Sequence, residues 1–168
     1  RPGFTVAAWQ QRPESLGFVN IKSNDPFEAP IIQPNYLEAE EDRKVLIAGM
    51  KLARRLMRTE PLEPYFDFEQ YPGDHIQTDD ELLQIARERG TTTFHVMGSC
   101  RMGPSSDPTS VVNEKLGVHG IDGLRVIDAS IMPTMLSANL NAGAMMIGEK
   151  GADMILGKPA LEPIITHE

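Results

Sequence analysis

The stretch His95-Val-Met-Gly-Ser-Cys-Arg-Met-Gly103 is the most informative part of this chain, because it joins a histidine to a turn-forming run of small residues. Two further stretches follow it, Asp128-Ala-Ser-Ile-Met-Pro133 and Asn139-Leu-Asn-Ala142. Histidine is the side chain best suited to exchange a proton near neutral pH, and asparagine supplies donor and acceptor groups without charge. The pattern predicts a reaction centre built from two distant loops.

The composition is that of a globular protein. The chain has 168 residues, 40% of them hydrophobic and 24% charged, enough for one domain with a core of its own. Its formal net charge of −8 argues against a nucleic-acid partner, since such surfaces are usually basic. Arg54, Arg55 and Arg58 form a local basic patch, which we interpret as the solvated face of a helix. No apolar run approaches the roughly 20 residues that span a bilayer, so no transmembrane segment is expected.

The single cysteine, Cys100, cannot form an internal disulfide and belongs to no cluster of metal ligands. We therefore expect a reducing compartment and no metal site. The N-terminus has no basic region followed by an apolar stretch, so no signal peptide is visible and a cytoplasmic location is expected. The abrupt start at Arg1 is interpreted as that of a processed product or a fragment of a longer protein.

Hydrophobic periodicity predicts short strands and three helices. Thr78 followed by Glu81 is the signature of a capping box, and it predicts a helix that runs to about Arg89 and stops at Gly90. The helix near the C-terminus is rich in Ala, Gly and Met, and its small residues allow close packing against a neighbour or a flat ligand. The predicted helices cover residues 38–57, 78–89 and 141–156, and the predicted strands cover 4–10, 17–22, 31–33 and 124–127, the last of them buried.

Several stretches carry a resemblance to a known family. The most specific are His95–Gly103, Gly120–Pro133 and Asn139-x-Asn-Ala, and the earlier segments that agree with them are Gly17–Pro26, Pro30–Leu37, Pro72-Gly73 and Asp79–Leu82. They resemble the C-terminal part of the glucose–methanol–choline (GMC) oxidoreductases, in particular the choline-dehydrogenase-like, alcohol-oxidising branch. The resemblance implies an α+β fold with an antiparallel sheet and flanking helices. It also implies a substrate-binding domain over residues 1–120, a strand and helix over 121–158 that return to an FAD-binding domain, and a tail over 159–168.

In that family an N-terminal Rossmann-type domain binds FAD, and no Gly-x-Gly-x-x-Gly sequence occurs in this chain. The resemblance therefore implies a C-terminal fragment that lacks the FAD-binding portion and is inactive by itself. The implied partners are that missing portion and a small-molecule alcohol. Association into a homo-oligomer is left open.

The resemblance assigns the chemical roles to two residues. His95 would accept the proton of the substrate hydroxyl and then stabilise the alkoxide-like state. Asn139 occupies a position where relatives carry His or Asn, and it would hydrogen-bond and orient the substrate oxygen without acting as a base. The other interpretation of Asn139 is an N-cap of the last helix, which is compatible with the first.

The resemblance places FAD against the backbone of two segments. The chain around Asp128 and Ala129 would approach the pyrophosphate and ribitol. The backbone N–H groups of Leu140, Asn141 and Ala142 would lie near the pyrimidine edge of the flavin, where a helix N-terminus favours the anionic reduced form. Relatives often carry Pro after this alanine, whereas this chain has a glycine at position 143.

Two other functions remain open from the sequence. One is a non-enzymatic α+β module that binds a ligand or dimerises through an exposed apolar surface. The other is a hydrolase that pairs His95 with Ser99 or Ser130, although no Gly-x-Ser-x-Gly elbow is present.

Overall fold

The computed structural model describes residues 3–159, 161–162 and 164, and these residues form two strands and three α-helices. Strands β1 (Phe18–Asn20) and β2 (Ile31–Gln33) pair antiparallel. This content confirms the predicted α+β class with an antiparallel sheet and helices. The helices are α1 (Glu40–Met57), α2 (Asp79–Arg89) and α3 (Leu140–Ile155), and 3₁₀ turns cover Glu63–Tyr65 and Ala129–Ile131.

The chain divides into two compact units, Arg1–Thr93 and Phe94–Glu168. The first contains the sheet, α1 and α2, and the second contains the Ala129–Ile131 turn and α3. The predicted boundary at residue 120 separates the substrate-binding domain from a segment that is expected to join an FAD-binding domain. That boundary stays a prediction. The predicted tail over 159–168 lies mostly outside the described residues. No helix among the described residues is long and apolar enough to cross a membrane.

Asp42 anchors the segment that precedes the sheet to the first turn of α1. This carboxylate is 3% exposed, and it accepts hydrogen bonds at 2.9 Å from the backbone N–H groups of Glu14 and Ser15. The Ser15 hydroxyl donates a third. Burial by itself raises the pKa of Asp42, but the hydrogen bonds from Ser15 and Glu14 outweigh it and hold the pKa below its ordinary value.

Arg54 corrects the interpretation of the basic patch, because this side chain is largely buried rather than solvated. Its guanidinium donates to the Glu69 carboxylate at 2.9 Å and to the carbonyls of Gly73 at 3.1 Å and Ile76 at 2.6 Å. A planar group with five donors suits several acceptors at once. Arg54 therefore ties the loop over residues 69–76 to α1.

The predicted capping box at the start of α2 is confirmed. The Thr78 hydroxyl accepts the Glu81 backbone N–H at 3.2 Å, and the Glu81 carboxylate accepts the Thr78 backbone N–H at 2.9 Å. The backbone N–H groups of Thr78 and Gln77 lower the pKa of Glu81. The helix ends at Arg89 as predicted, although Gly90 has a φ of −60° and does not use the left-handed conformation.

Two predicted strands are wrong. Residues 4–10 have no regular secondary structure and no partner strand among the described residues, and Ala8 contacts α1 at Gly49 instead. Residues 124–127 form only one isolated antiparallel bridge, between Arg125 and Gly117, and Leu124 is 49% exposed. Strand-forming side chains are not sufficient, because a strand needs a partner that continues the ladder.

The core of the second unit is a cluster of apolar side chains around α3 and the Ala129–Ile131 turn. Glycine in α3 allows close contact, since a Cβ at Gly151 would lie 2.3 Å from Ile127 Cγ2 and one at Gly143 would lie 2.6 Å from Leu136 Cδ1. The expectation that small residues let this helix pack closely is therefore confirmed. The buried members of the cluster are Val112, Leu116, Ile131, Met132, Leu140 and Ile147.

Candidate functional site

His95 lies at the start of the second unit, in a loop without regular secondary structure, and it is half-buried. The preceding residue, Phe94, has a φ of 59°, in the left-handed region that a bulky side chain rarely adopts. No hydrogen bond joins the His95 ring to another of the described residues. Both ring nitrogens of His95 therefore lack a hydrogen-bond partner among the described residues.

The loop that follows His95 is attached to the 3₁₀ turn Ala129–Ile131 by a ladder of three backbone hydrogen bonds. Three alternate N–H groups of the loop donate to three successive carbonyls of the turn. The structure thus brings together two of the stretches that carry the sequence resemblance. The bonds are Gly98 N–H to Ala129 O at 3.4 Å, Cys100 N–H to Ser130 O at 2.9 Å and Met102 N–H to Ile131 O at 2.8 Å.

The 3₁₀ turn is capped by Asp128. The Asp128 carboxylate accepts the Ser130 backbone N–H at 2.7 Å, while the Asp128 backbone stays extended. The sequence pattern Asp-x-Ser is a local signal for this cap, whereas the resemblance implied only an approach of the Asp128 backbone to FAD. Ile131, the last residue of the turn, is 4% exposed and joins the apolar core.

Asn139 caps α3, which confirms the second interpretation given for it. Its Oδ1 accepts the Asn141 backbone N–H at 2.9 Å. Because a backbone N–H can only donate, this bond identifies which atom of the amide is oxygen. The Nδ2 group of Asn139 has no acceptor among the described residues and is a donor beside the start of α3.

The first turn of α3 fits the FAD that the resemblance implies. It contains no acidic side chain, so the positive potential of the helix N-terminus is not neutralised there. The Leu140 side chain is buried at 5% exposure, and Ala142 is exposed with only a methyl group. The Asn141 N–H is already bonded to Asn139, so the N–H groups of Leu140 and Ala142 are the donors left for an anionic ligand edge.

Asn139 and His95 lie in the same unit and are connected through the core. Gly98, in the loop after His95, is close to the Met132 carbonyl, and Met132 in turn contacts α3 at Gly143, four residues beyond Asn139. A Cβ at Gly98 would lie 3.3 Å from the Met132 carbonyl oxygen, and one at Gly143 would lie 3.1 Å from Met132 Cε. Tertiary packing therefore links both predicted loops to one apolar core.

The hydrolase interpretation gains no support from the geometry. Neither Ser99 nor Ser130 hydrogen-bonds the His95 ring among the described residues, whereas a serine nucleophile needs such a base. No group of three or more His, Cys, Asp or Glu side chains in the described part of the chain is arranged to hold a metal ion.

Two residues near the loop, His119 and Arg101, have partners that no local sequence pattern indicates. The Nε2 of His119 lies 3.1 Å from the Gly103 carbonyl oxygen. Arg101 forms an ion pair with Asp107 at 3.1 Å. The hydroxyl and N–H of Thr109 lower the pKa of Asp107, so this carboxylate stays charged for Arg101.

Comparison with known proteins gives consistent matches. Mitochondrial choline dehydrogenase from Homo sapiens is 43% identical over 158 residues, which cover 94% of this chain and 27% of that protein. Pyridoxine 4-oxidase from Mesorbium loti matches with a TM-score of 0.78 at 28% identity, covering 89% of this chain and 29% of the other. An FAD-dependent oxidoreductase from Chaetomium thermophilum matches with a TM-score of 0.77 at 30% identity, covering 84% and 24%.

This chain therefore spans less than a third of the length of each of these proteins. The family model described as GMC oxidoreductase matches residues 13–148, a range that contains the His95 loop, the Asp128 cap and the Asn139 cap. The sequence resemblance is thus confirmed over most of the chain, and the protein belongs to the GMC oxidoreductase family.

Proposed function

We propose that this chain is the C-terminal, substrate-facing portion of an FAD-dependent enzyme that oxidises an alcohol to a carbonyl compound. The observation that carries the proposal is the His95 loop, which is bonded to the Asp128-capped turn within the same unit as Asn139. Similarity to choline dehydrogenase and to an FAD-dependent oxidoreductase supports both the reaction class and the cofactor.

His95 is the proton acceptor in this proposal. Its half-buried ring has no hydrogen-bond partner among the described residues, so a ring nitrogen can receive the proton of a substrate hydroxyl. Asn139 cannot act as a base. Its Nδ2 donates to the substrate oxygen, because the Asn139 Oδ1 is bonded to the Asn141 N–H.

The backbone of this chain would hold part of the cofactor. The groups that fit FAD are the backbone at Asp128–Ala129 and the N–H groups of Leu140 and Ala142. FAD, when bound, would accept the hydride from the carbinol carbon. We propose that the remaining contacts come from an FAD-binding portion outside this chain. The 168-residue chain alone is then expected to bind FAD weakly and to turn over no alcohol, which absorbance spectroscopy after gel filtration with FAD can check.

The test of His95 uses the complete, FAD-loaded enzyme and anaerobic stopped-flow measurement of flavin reduction by a panel of alcohols. His95→Ala is expected to slow reduction by about 10²- to 10⁴-fold with the FAD content unchanged, because general base catalysis is lost. His75→Ala is the control, since His75 is exposed and lies in the first unit. Unchanged reduction kinetics in His95→Ala would remove His95 from the mechanism.

One observation favours the second candidate, a non-enzymatic module. Every residue of β1 and β2 is exposed, including Phe18 and Val19. Apolar surface of this kind is usually covered by a partner or by another part of the protein. A stable dimer of the 168-residue chain in size-exclusion chromatography, together with failure of the complete protein to be reduced by any alcohol, would favour the module.

A further inference from the structure

We propose that Asp128 is a positioning residue for His95, and that it acts through the 3₁₀ turn Ala129–Ile131 rather than by touching the substrate. The functional meaning of the proposal rests on the proposed role of His95. The chain of hydrogen bonds that connects the two residues does not depend on that role.

The first link runs from the Asp128 side chain to the turn. The carboxylate accepts the Ser130 N–H at 2.7 Å, and the Asp128 backbone carbonyl accepts the Ile131 N–H at 3.2 Å. A side-chain acceptor at this place replaces the backbone acceptor that the start of a helical turn lacks. Without it, the turn loses one of the bonds that fix the direction of its peptide groups.

The second link runs from the turn to the His95 loop. The turn offers three successive carbonyls, and these accept the N–H groups of Gly98, Cys100 and Met102. The distances shorten along the ladder from 3.4 Å at Gly98 to 2.8 Å at Met102. A change in the direction of the turn peptides therefore displaces the acceptors of all three loop amides together.

The third link is short. Only Val96 and Met97 separate His95 from the first anchored amide, that of Gly98. Met97 also packs against the apolar core of the second unit. Val96 is 77% exposed and gives little anchoring, so the segment that follows His95 is held mainly by Met97 and the ladder.

The link requires an oxygen acceptor at residue 128 and does not require a negative charge. Asparagine and aspartate are about equally good at such caps, whereas alanine is poor. Asp128→Asn should therefore preserve the ladder and Asp128→Ala should weaken it. If the carboxylate instead acted through its charge on the site, both replacements would cause the same loss.

The experiment uses the complete, FAD-loaded enzyme and hydrogen–deuterium exchange measured by mass spectrometry over residues 96–103. Asp128→Ala is expected to speed exchange in this segment about fivefold, the cost of one lost cap. Asp128→Asn should exchange like the wild type. Thr78→Ala is the matched control, since it removes an N-cap from α2 in the first unit and should leave this segment unchanged.

Kinetics on the same proteins separate positioning from general stability. Asp128→Ala should lower the maximal rate of flavin reduction by at least about tenfold, because a misplaced base loses its alignment. The half-saturating alcohol concentration should change by less than about twofold, because the alcohol keeps its ground-state contacts. Asp128→Asn should restore the rate, and Thr78→Ala should retain it.

Two results overturn the proposal: unchanged exchange over residues 96–103 in Asp128→Ala, or equal losses in Asp128→Asn and Asp128→Ala. If Asp128→Ala does not yield folded protein, Asp128→Gly tests the same link. Glycine also lacks the side-chain acceptor, but it costs less stability than alanine at an N-cap. If only the proposed function fails, the pattern is different. The alcohol then reduces the flavin of His95→Ala at the normal rate, while Asp128→Ala still shows faster exchange over residues 96–103.

Discussion

The two units of this chain are stabilised by different kinds of interaction. In the first, buried polar side chains hold irregular segments against α1: Asp42 binds the chain at Glu14 and Ser15, and Arg54 binds the loop over 69–76. In the second, an apolar cluster surrounds α3, and backbone hydrogen bonds hold the loops. The first unit should therefore be most sensitive to loss of a charge, and the second to a change of side-chain volume.

The largest effect on stability is expected from Arg54→Ala. This change leaves the Glu69 carboxylate, 13% exposed, without its partner and removes the donors of two loop carbonyls. Breaking a buried pair on one side costs about 3 kcal/mol of unfolding free energy. Urea denaturation followed by circular dichroism measures it. Arg55→Ala, at the exposed neighbour, should change the unfolding free energy by less than about 0.5 kcal/mol. Equal effects of the two variants would contradict the anchoring role of Arg54.

Asp42 should make stability depend on pH. Because its pKa is lowered on folding, its contribution is present above the unfolded value of about 3.9 and is lost as the pH falls through the lowered folded value. Asp42→Asn should cost about 2 kcal/mol at pH 7, since charge-assisted hydrogen bonds are replaced by neutral ones. The difference from wild type should shrink below about pH 4. Urea midpoints between pH 7 and 3 check this, with the exposed Glu38→Gln as control; a constant difference would refute it.

The smallest effects are expected from two glycines of α3, and they should have opposite signs. A Cβ at Gly151 meets Ile127 Cγ2 at 2.3 Å, so Gly151→Ala should destabilise by about 1 kcal/mol through overpacking. A Cβ at Gly148 meets no atom within 4 Å, so Gly148→Ala should stabilise by up to about 1 kcal/mol through helix propensity. Thermal unfolding of both variants compares them directly. Stabilisation by both would show that α3 is not closely packed at Gly151.

Local signals in the sequence predicted the three helices and the two paired strands, whereas the resemblance implied the candidate catalytic residues. The capping box at Thr78 predicted the start of α2, because its side chains act within four residues of each other. The same locality explains the two failures. Residues 4–10 and 124–127 have strand-forming side chains, but a strand also depends on a partner that is distant along the chain.

The burial of Arg54 was missed for a related reason. Its acceptors Glu69, Gly73 and Ile76 lie 15 to 22 residues away along the chain, so no pattern within α1 identifies them. In the sequence, Arg54 lies close to other arginines, which indicates a basic patch. In the fold, the loop over 69–76 covers Arg54 and supplies the carboxylate and carbonyl acceptors for its guanidinium.

By itself, the sequence determined the helices, which follow from residue types at fixed local spacings, and the family, through motifs that resemble those of the GMC oxidoreductases. That resemblance also implied His95 and Asn139 as candidate site residues. The tertiary structure decided how His95 is held. The ladder joins amides at residues 98–102 to carbonyls at residues 129–131, and backbone groups are the same in every residue type except proline. Such a contact leaves no trace in side-chain patterns, and it exists only once the apolar core has brought the two loops together.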